Sequence, residues 1–334
     1  MPTTNKLLIS SLSLLAVGCT SAGTQDNLQI DASVDLDHDG WAADVDCDDS
    51  NPLVNPGAIE VCMDGTDNDC DGWAGECELD ERIDLGQASA RMVGEESGDE
   101  ASWSVAAVGD VNGDGVDDLV VGSYLADEAG PLSGAVYLFH GPVSGNINLA
   151  FADAKLVGES AGSMAGFSVD GVGDINRDGY ADIIVGAQGA EGEGAESGVA
   201  YIVFGPLEGE MSLAQADVRL EGESAYDGAG TAVAGIGDIN RDGYPDVAVG
   251  APGNDAGGLD AGATYIFRGP LMGTRSMDSA DAVVLGARSE ERSGSTVDGD
   301  DVNGDGYADI LIAAPGSDRG GDESGAVYFF EGPL

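Results

Sequence analysis

From about residue 83 onward the chain is written in short apolar runs rich in Val, Ile, Tyr and Phe, each bounded by Gly, Asp or Pro. Between residues 165 and 223 the order is plain. AGFSVDGVGD enters an acidic loop, ADIIVGAQ leaves it, SGVAYIVFGP follows and ADVRLEGE comes last. Runs of this length and composition, fenced by turn residues, predict β-strands. No long stretch carries a helical apolar period, although NINLAFADAKL (146–156) predicts a helical turn. The predicted fold class is all-β.

This strand unit is repeated. Asp110, Asp174 and Asp238 stand 64 residues apart and Asp301 follows after 63, while Gly94, Gly158, Gly222 and Gly286 keep the 64 spacing. HGPV, FGPL, RGPL and EGPL close the four units. So long a period suits a four-stranded propeller blade. IDLGQASARMVGEES (83–97) aligns with INLAFADAKLVGES (147–160). The expectation is a four-bladed β-propeller over 83–334, with repeats at about 98–158, 159–222, 223–286 and 287–334. In that reading the 83–97 strand pairs into the last blade and closes the circle, so that no sheet edge is left bare. A larger ring formed by several chains is the alternative.

Each unit carries one acidic loop of pattern D-x-N-x-D-G-x-x-D. The four are Asp110, Asn112, Asp114, Val116, Asp118; Asp174, Asn176, Asp178, Tyr180, Asp182; Asp238, Asn240, Asp242, Tyr244, Asp246; and Asp301, Asn303, Asp305, Tyr307, Asp309. Calcium takes six to eight oxygen ligands, and alternate residues of a curling loop aim theirs inward. Positions 1, 3, 5 and 9 would give side chains, and position 7 (Val116, Tyr180, Tyr244, Tyr307) its carbonyl. Magnesium, with stricter octahedral demands, fits less well. An EF-hand begins alike, but IIVGA and VAVGA after the loops are strand runs rather than helices. A solvated Asp-Gly turn explains one such stretch better than four in register.

Composition changes the picture in two ways. There are 62 acidic against 12 basic side chains, a formal charge of −50, so nucleic acid and anionic membranes are disfavoured partners. Disorder does not follow, because 42% of residues are hydrophobic and fall in regular runs, and 54 glycines suit a turn-rich β-protein. Bound cations are the obvious counter-charge.

The N-terminus, MPTTNKLLISSLSLLAVGC, has one lysine and an apolar run too short to span a bilayer. It reads as a signal peptide (1–18), and Ala16-Val17-Gly18-Cys19 resembles the bacterial lipobox, with Cys19 lipidated and 19–30 a linker. An ordinary signal peptide is the alternative. Either predicts export, the first as an outer-membrane or cell-surface lipoprotein held in the membrane by its N-terminal lipid. Cys47, Cys62, Cys70 and Cys77 then form an even set, read as two disulfides with the pairing open. They lie in an acidic module at 31–80, where Asp35, Asp37 and Asp39 with Gly40 repeat the spacing of the loops. Trp41 would add a carbonyl at position 7 and Asp46 a carboxylate at position 12. A second cluster, Asp64, Asp67, Asn68, Asp69 and Asp71, surrounds Cys70. With few large apolar residues the module has to be held by disulfides and calcium. A disordered acidic linker is the bland alternative.

The acidic loops, with Gly-Phe-Ser-Val (166–169) before the second and Val-Gly-Ala-Pro (249–252) after the third, resemble the FG-GAP repeats of the integrin α-subunit β-propeller. That resemblance implies Ca²⁺ in the hairpin between the first two strands of each blade. It also implies a non-catalytic surface protein that recognises an extracellular protein or glycan through rim loops, here 123–134, 187–198, 251–262 and 314–325. The motif departs at Ser102-Trp103, Gly230-Thr231 and Gly294-Ser295, and Asp300 replaces the glycine that precedes the other loops. The 31–80 stretch resembles the MopE-like metal-binding motif of bacterial surface proteins and, in style, thrombospondin type 3 repeats. Two rival functions remain. One is a hydrolase or lyase acting on polysaccharides or phosphodiesters, against which stand only two histidines, His38 and His140, neither in a motif. The other is a structural calcium-binding matrix component.

Overall fold

The structure, a computed structural model, describes residues 35–42, 45–58, 66–70 and 85–333. Two compact units divide the chain, Met1–Gln87 and Ala88–Leu334. Among the described residues no helix is long and apolar enough to cross a membrane.

The second unit opens with β1 (Ala90–Val93). A blade follows, built from β2 (Ser104–Gly109), β3 (Asp118–Ser123), β4 (Ala135–Phe139), β5 (Gly145–Asn148), a 3-10 turn at Leu149–Phe151, and β6 (Ala154–Val157). The next unit runs β7 (Ala165–Gly173), β8 (Asp182–Ala187), β9 (Val199–Val203), β10 (Gly209–Ser212) and β11 (Val218–Glu221). The third runs β12 (Ala232–Gly237), β13 (Asp246–Ala251), β14 (Ala263–Phe267), β15 (Gly273–Ser276) and β16 (Ala282–Leu285). The last holds β17 (Thr296–Asp300), β18 (Asp309–Ala314) and β19 (Ala326–Phe330). Within a full blade the order is a four-stranded antiparallel meander, β2-β3-β4-β6 in the first. The short strands leave their own blade: β5, β10 and β15 run parallel to β1, β6 and β11 of the preceding unit. These are blades of a β-propeller, each stitched to its neighbour by a fifth strand.

Strand sequence follows burial. The third strands β4, β9 and β14 are wholly buried, so they read as unbroken apolar runs rather than alternating ones. Their tyrosines bury the ring and still satisfy the hydroxyl: Tyr137 donates to Glu95 at 3.0 Å and Tyr201 to Glu159 at 2.8 Å. Blades then pack face to face. Val120, Val136 and Leu138 meet Val169, Ile183 and Val185; Ile184, Ile202 and Leu220 meet Val233, Val247 and Val249; Ala234 and Ile236 meet Val297, Ile310 and Ile312.

Two glycine positions permit this approach. A Cβ on Gly122, Gly186 or Gly250 would stand 2.2, 2.0 and 2.0 Å from the carbonyl oxygens of Gly166, Gly230 and Gly294 in the next blade. A Cβ on Gly171, Gly235 or Gly299 would strike Val108, Gly171 or Ile236 of the previous blade, at 2.7, 2.2 and 2.7 Å. Between them sits a β-bulge in each of the first three blades, where the ladder skips Val108, Val172 and Ile236. Each skipped side chain is buried in the junction with the following blade. The fourth blade has no bulge at this point. Its missing residue is the reason Asp301 follows Asp238 after 63 residues instead of 64.

The ring closure expected from the sequence is not what the structure shows. β1 pairs with β5 in a two-stranded sheet, and β17-β18-β19 form a sheet of three. The physical reason lies in the two glycine positions. Where the fourth blade would receive a neighbour, Ala313 replaces the glycine of Gly122, Gly186 and Gly250 and the bulge residue is gone. Where the first blade would be received, Ala107 replaces that of Gly171, Gly235 and Gly299. A first-to-fourth junction of the same geometry would drive the Ala313 methyl into the following backbone, and it would lack the bulge residue against which the Ala107 position packs in the other junctions.

Candidate metal centre

Residues 35–49 form a cradle of carboxylates in the N-terminal unit. Burial alternates along 35–40, with Asp35, Asp37 and Asp39 turned in and Leu36, His38 and Gly40 turned out. Gly40 takes φ +102, which a side chain would resist. Backbone amides hold both oxygens of Asp35 and one oxygen of each other carboxylate. Asp35 accepts from the amides of His38 (2.6 Å) and Gly40 (3.0 Å), Asp37 from Asp39 (3.3 Å) and Asp39 from Trp41 (2.8 Å). Asp46 accepts from Asp48 at 2.9 Å and Asp49 from Leu36 at 3.0 Å.

The other oxygens are the informative ones. Oδ2 of Asp37, Asp39, Asp46 and Asp49 is buried with no hydrogen-bond partner. Carboxylate oxygens of Asp37, Asp39 and Asp46 lie within 4.8 Å of one another, as do those of Asp35, Asp37 and Asp49. Asp46 is only 8% exposed. Gathering ionised carboxylates away from water without counter-charge is costly, and burial with like-charged neighbours Asp39, Asp46 and Asp35 pushes the Asp37 carboxyl up. A hard cation removes that cost, and an all-oxygen donor set fits calcium. Among the described residues sulfur does not compete, because Cys47 and Cys70 are joined to each other across 5.6 Å between their Cα atoms. The structure therefore groups the sequence-predicted Asp35, Asp37, Asp39 and Asp46. It adds Asp49, which sequence reasoning missed because it lies beyond the 12-residue loop. Cys19, Cys62, Cys77, Asp64 and Asp71 lie outside the described residues.

The four propeller loops share one scaffold of bonds. The carboxylate at position 1 accepts from the amides of the turn: Asp110 from Gly113 (2.7 Å), Asp114 (3.0 Å) and Gly115 (2.8 Å), Asp174 from Gly179 (2.9 Å), Asp238 from Gly243 (2.7 Å) and Asp301 from Gly306 (2.8 Å). The Asn at position 3 accepts from the amide of position 5 at 2.8 Å in all four loops. Asp114 is held below the usual carboxylate range by Asn112 and the Val116 amide, and Asp242 by the Tyr244 amide and Asn240. Positions 1, 3 and 5 are thus drawn together around the amide of position 5 in an exposed loop.

Position 9 sits differently. Asp118, Asp182, Asp246 and Asp309 are buried at the start of the second strand. Each clamps the loop to the Gly-Pro turn. Asp118 accepts from Val111 (2.9 Å) and Gly141 (2.8 Å), Asp182 from Ile175 (2.9 Å) and Gly205 (3.0 Å), Asp246 from Ile239 and Gly269 (2.9 Å each), and Asp309 from Val302 (3.1 Å) and Gly332 (2.9 Å). Position 7 is engaged as well, although only its carbonyl was expected to matter. The Tyr244 and Tyr307 rings carry Arg177 and Arg241 of the previous loops. The Tyr180 ring lies against Gly113.

Burial pushes Asp182 up to about 7 and Asp246 up to about 6, with Asp178, Asp174, Asp242 and Asp238 as like-charged neighbours. The folded chain then keeps protons that the unfolded chain has released between the ordinary carboxylate range and about pH 7. Stability must fall as pH rises through that window. Stripped of divalent ions, the protein should melt several degrees higher at pH 5 than at pH 7.5, and Asp182→Asn with Asp246→Asn should shrink the difference. Equal melting temperatures in chelator at the two pH values would contradict this.

Comparison with known proteins agrees with the geometry. The FG-GAP repeat family matches residues 102–139, 165–203, 229–267 and 293–330, and the metal-binding motif family named for copper-binding MopE matches residues 46–76. Integrin alpha-V of Gallus gallus is 32% identical over 224 residues, 64% of this chain and 20% of the integrin. Integrin alpha-5 of Xenopus laevis is 30% identical over 220 residues, again 64% and 20%. Phosphatidylinositol-glycan-specific phospholipase D of Mus musculus is 33% identical over 165 residues, 47% of this chain and 19% of that protein. The chain thus spans about a fifth of the length of these relatives. It is a protein of four FG-GAP repeats, folded as integrin-like propeller blades and preceded in sequence by a MopE-like metal-binding motif.

Proposed function

We propose that this chain is an exported, calcium-binding, non-catalytic display module that engages a protein or glycan through the propeller loops opposite its acidic ones. The observation that carries the calcium reading is the set of four buried, unpartnered Oδ2 atoms of Asp37, Asp39, Asp46 and Asp49, whose carboxylates fall in two close triads sharing Asp37, one with Asp39 and Asp46 and one with Asp35 and Asp49. The loops at 110–118, 174–182, 238–246 and 301–309 would take four further ions through positions 1, 3 and 5, the position-7 carbonyl and the clamped position-9 acid. Calcium in them sets blade geometry and offsets part of the −50 charge.

A contact surface supports the binding reading. Trp103, Tyr124 and Phe167 cluster with ring centroids 5.0 to 5.5 Å apart, and Trp103 remains 53% exposed. The fold does not need them: the positions of Trp103 and Phe167 hold Thr231 and Ser295 in the later blades. Tyr226 (69% exposed) and Leu132 line a separate groove with Met164 and Gln188. Exposed aromatic residues on so acidic a body suit recognition rather than solubility. Export and attachment rest on the leader and Cys19, and Cys19→Ala should release the protein from membranes.

The experiment is a screen of immobilised glycans and proteins, with and without chelator, using the native chain and Trp103→Ala. Calcium-dependent binding weakened by the substitution is expected. A second reading, hydrolysis, draws on the phospholipase relatives. Turnover of polysaccharides or phosphodiesters in the same screen, abolished by replacing a carboxylate outside the four loops, would favour it.

A further inference from the structure

We propose that Arg177 and Arg241 tie the second, third and fourth acidic loops into one cooperative cation-binding set, with the first loop filling independently. The inference rests on the reading that these loops take calcium.

Both arginines stand at position 4 of their loops, where the backbone is left-handed: φ is 61 at Arg177 and 58 at Arg241. The first and fourth loops use glycine there, Gly113 and Gly304, at φ 80 and 74. Glycine is the residue this conformation favours. An arginine at such a position needs a compensating contact, and both have one in the next blade. The guanidinium carbon of Arg177 lies 3.7 Å from the centroid of the Tyr244 ring, and that of Arg241 lies 3.6 Å from Tyr307. Arg177 donates through Nε to the Gly243 carbonyl (3.1 Å) and through Nη2 to that of Asp242 (3.4 Å). Arg241 repeats this on Gly306 (2.7 Å) and Asp305 (2.5 Å).

The carbonyls gripped belong to positions 5 and 6, and the ring beneath is position 7. Those three residues carry one carboxylate, the turn glycine and one carbonyl of the receiving loop. At its other end the arginine is flanked by Asn176 and Asp178, or by Asn240 and Asp242, positions 3 and 5 of its own loop. An ion in the third loop fixes residues 242–244 and so fixes the platform on which Arg177 rests. A settled Arg177 in turn holds positions 3 and 5 of the second loop. Ordering shared between two sites appears as positive coupling, and the coupling is reciprocal. Arg241 extends the chain to the fourth loop. Between the first and second loops the tie is absent: Gly113 has no side chain, and the Tyr180 ring occupies the space where a Cβ would meet it at 2.7 Å.

The test is calorimetric titration of the calcium-free full chain, wild type against Arg177→Gly, Arg177→Lys and Arg241→Gly. Lysine lacks the planar fork and should fail like glycine. Each variant should bind the same number of ions while the two loops it formerly joined lose about fivefold or more in apparent affinity. Asp178→Asn should weaken the third loop when Arg177 is present and leave it unchanged in Arg177→Gly. Superimposable isotherms for wild type and all three variants, with ions bound, would overturn the coupling alone. No uptake by the propeller of the native chain would overturn the coupling together with the calcium reading. Melting temperatures of the variants in excess calcium should match wild type within a few degrees, which separates lost coupling from lost folding.

Discussion

Gly250→Val will detach the fourth blade from the third. The added Cβ would stand 2.0 Å from the Gly294 carbonyl oxygen, a backbone atom that cannot swing aside. The blades would have to part, exposing Val297, Ile310 and Ile312. A core clash of this kind belongs among the largest effects of single substitutions, about 4 kcal/mol or more. The same repeat position in the fourth blade is Ala313, which already carries a methyl group and is only partly buried, so Ala313→Val should cost little. Melting temperature and the rate of proteolytic nicking after residue 287 provide the readout. A variant at Gly250 as stable as one at Ala313 would remove the basis for the close-approach argument.

Removal of divalent ions will have the second large effect, concentrated in residues 35–58. That segment has little apolar surface to bury, Val54 being its buried aliphatic side chain among the described residues. Its order depends on the carboxylate cradle and the Cys47–Cys70 bridge. An ion present at 1,000 times its dissociation constant contributes about 4 kcal/mol. In chelator, amide exchange across 35–58 should therefore accelerate strongly, and calcium should restore protection better than magnesium. Asp46→Ala should lose one ion by elemental analysis and mimic chelation locally. Protection unchanged by chelator, with no calcium retained, would mean that backbone amides alone satisfy the cradle.

Much of this was legible in the chain because repetition fixes register. Strand runs, the turn at 149–151 and the spacing of Asp110, Asp174, Asp238 and Asp301 follow from local chemistry, and four copies suppress chance. What escaped depends on contacts between copies. Asp118 and Asp114 are both acids in one loop, yet only the first is buried against the Gly-Pro turn, which spacing does not disclose. Asp49 is one aspartate among several until the fold carries Leu36 back to it. Tyr244 and Arg177 are 67 residues apart, so their stacking has no local signature. Four cysteines allow three pairings, and the Cys47–Cys70 bridge needed coordinates; Cys62 and Cys77 are not among the described residues. The single-residue shortening before Asp301 was visible, but its meaning, a lost bulge, appeared only in the ladder.

The uneven distribution of small residues across the units has a practical corollary for rebuilding this molecule. The second and third modules have glycine at both docking positions, so either could in principle be duplicated in tandem and still accept neighbours on each side. The fourth, with Ala313, could be copied only if that methyl were first deleted. How many units can be concatenated is therefore governed by two carbon atoms per module, a rule that a protein engineer can edit directly.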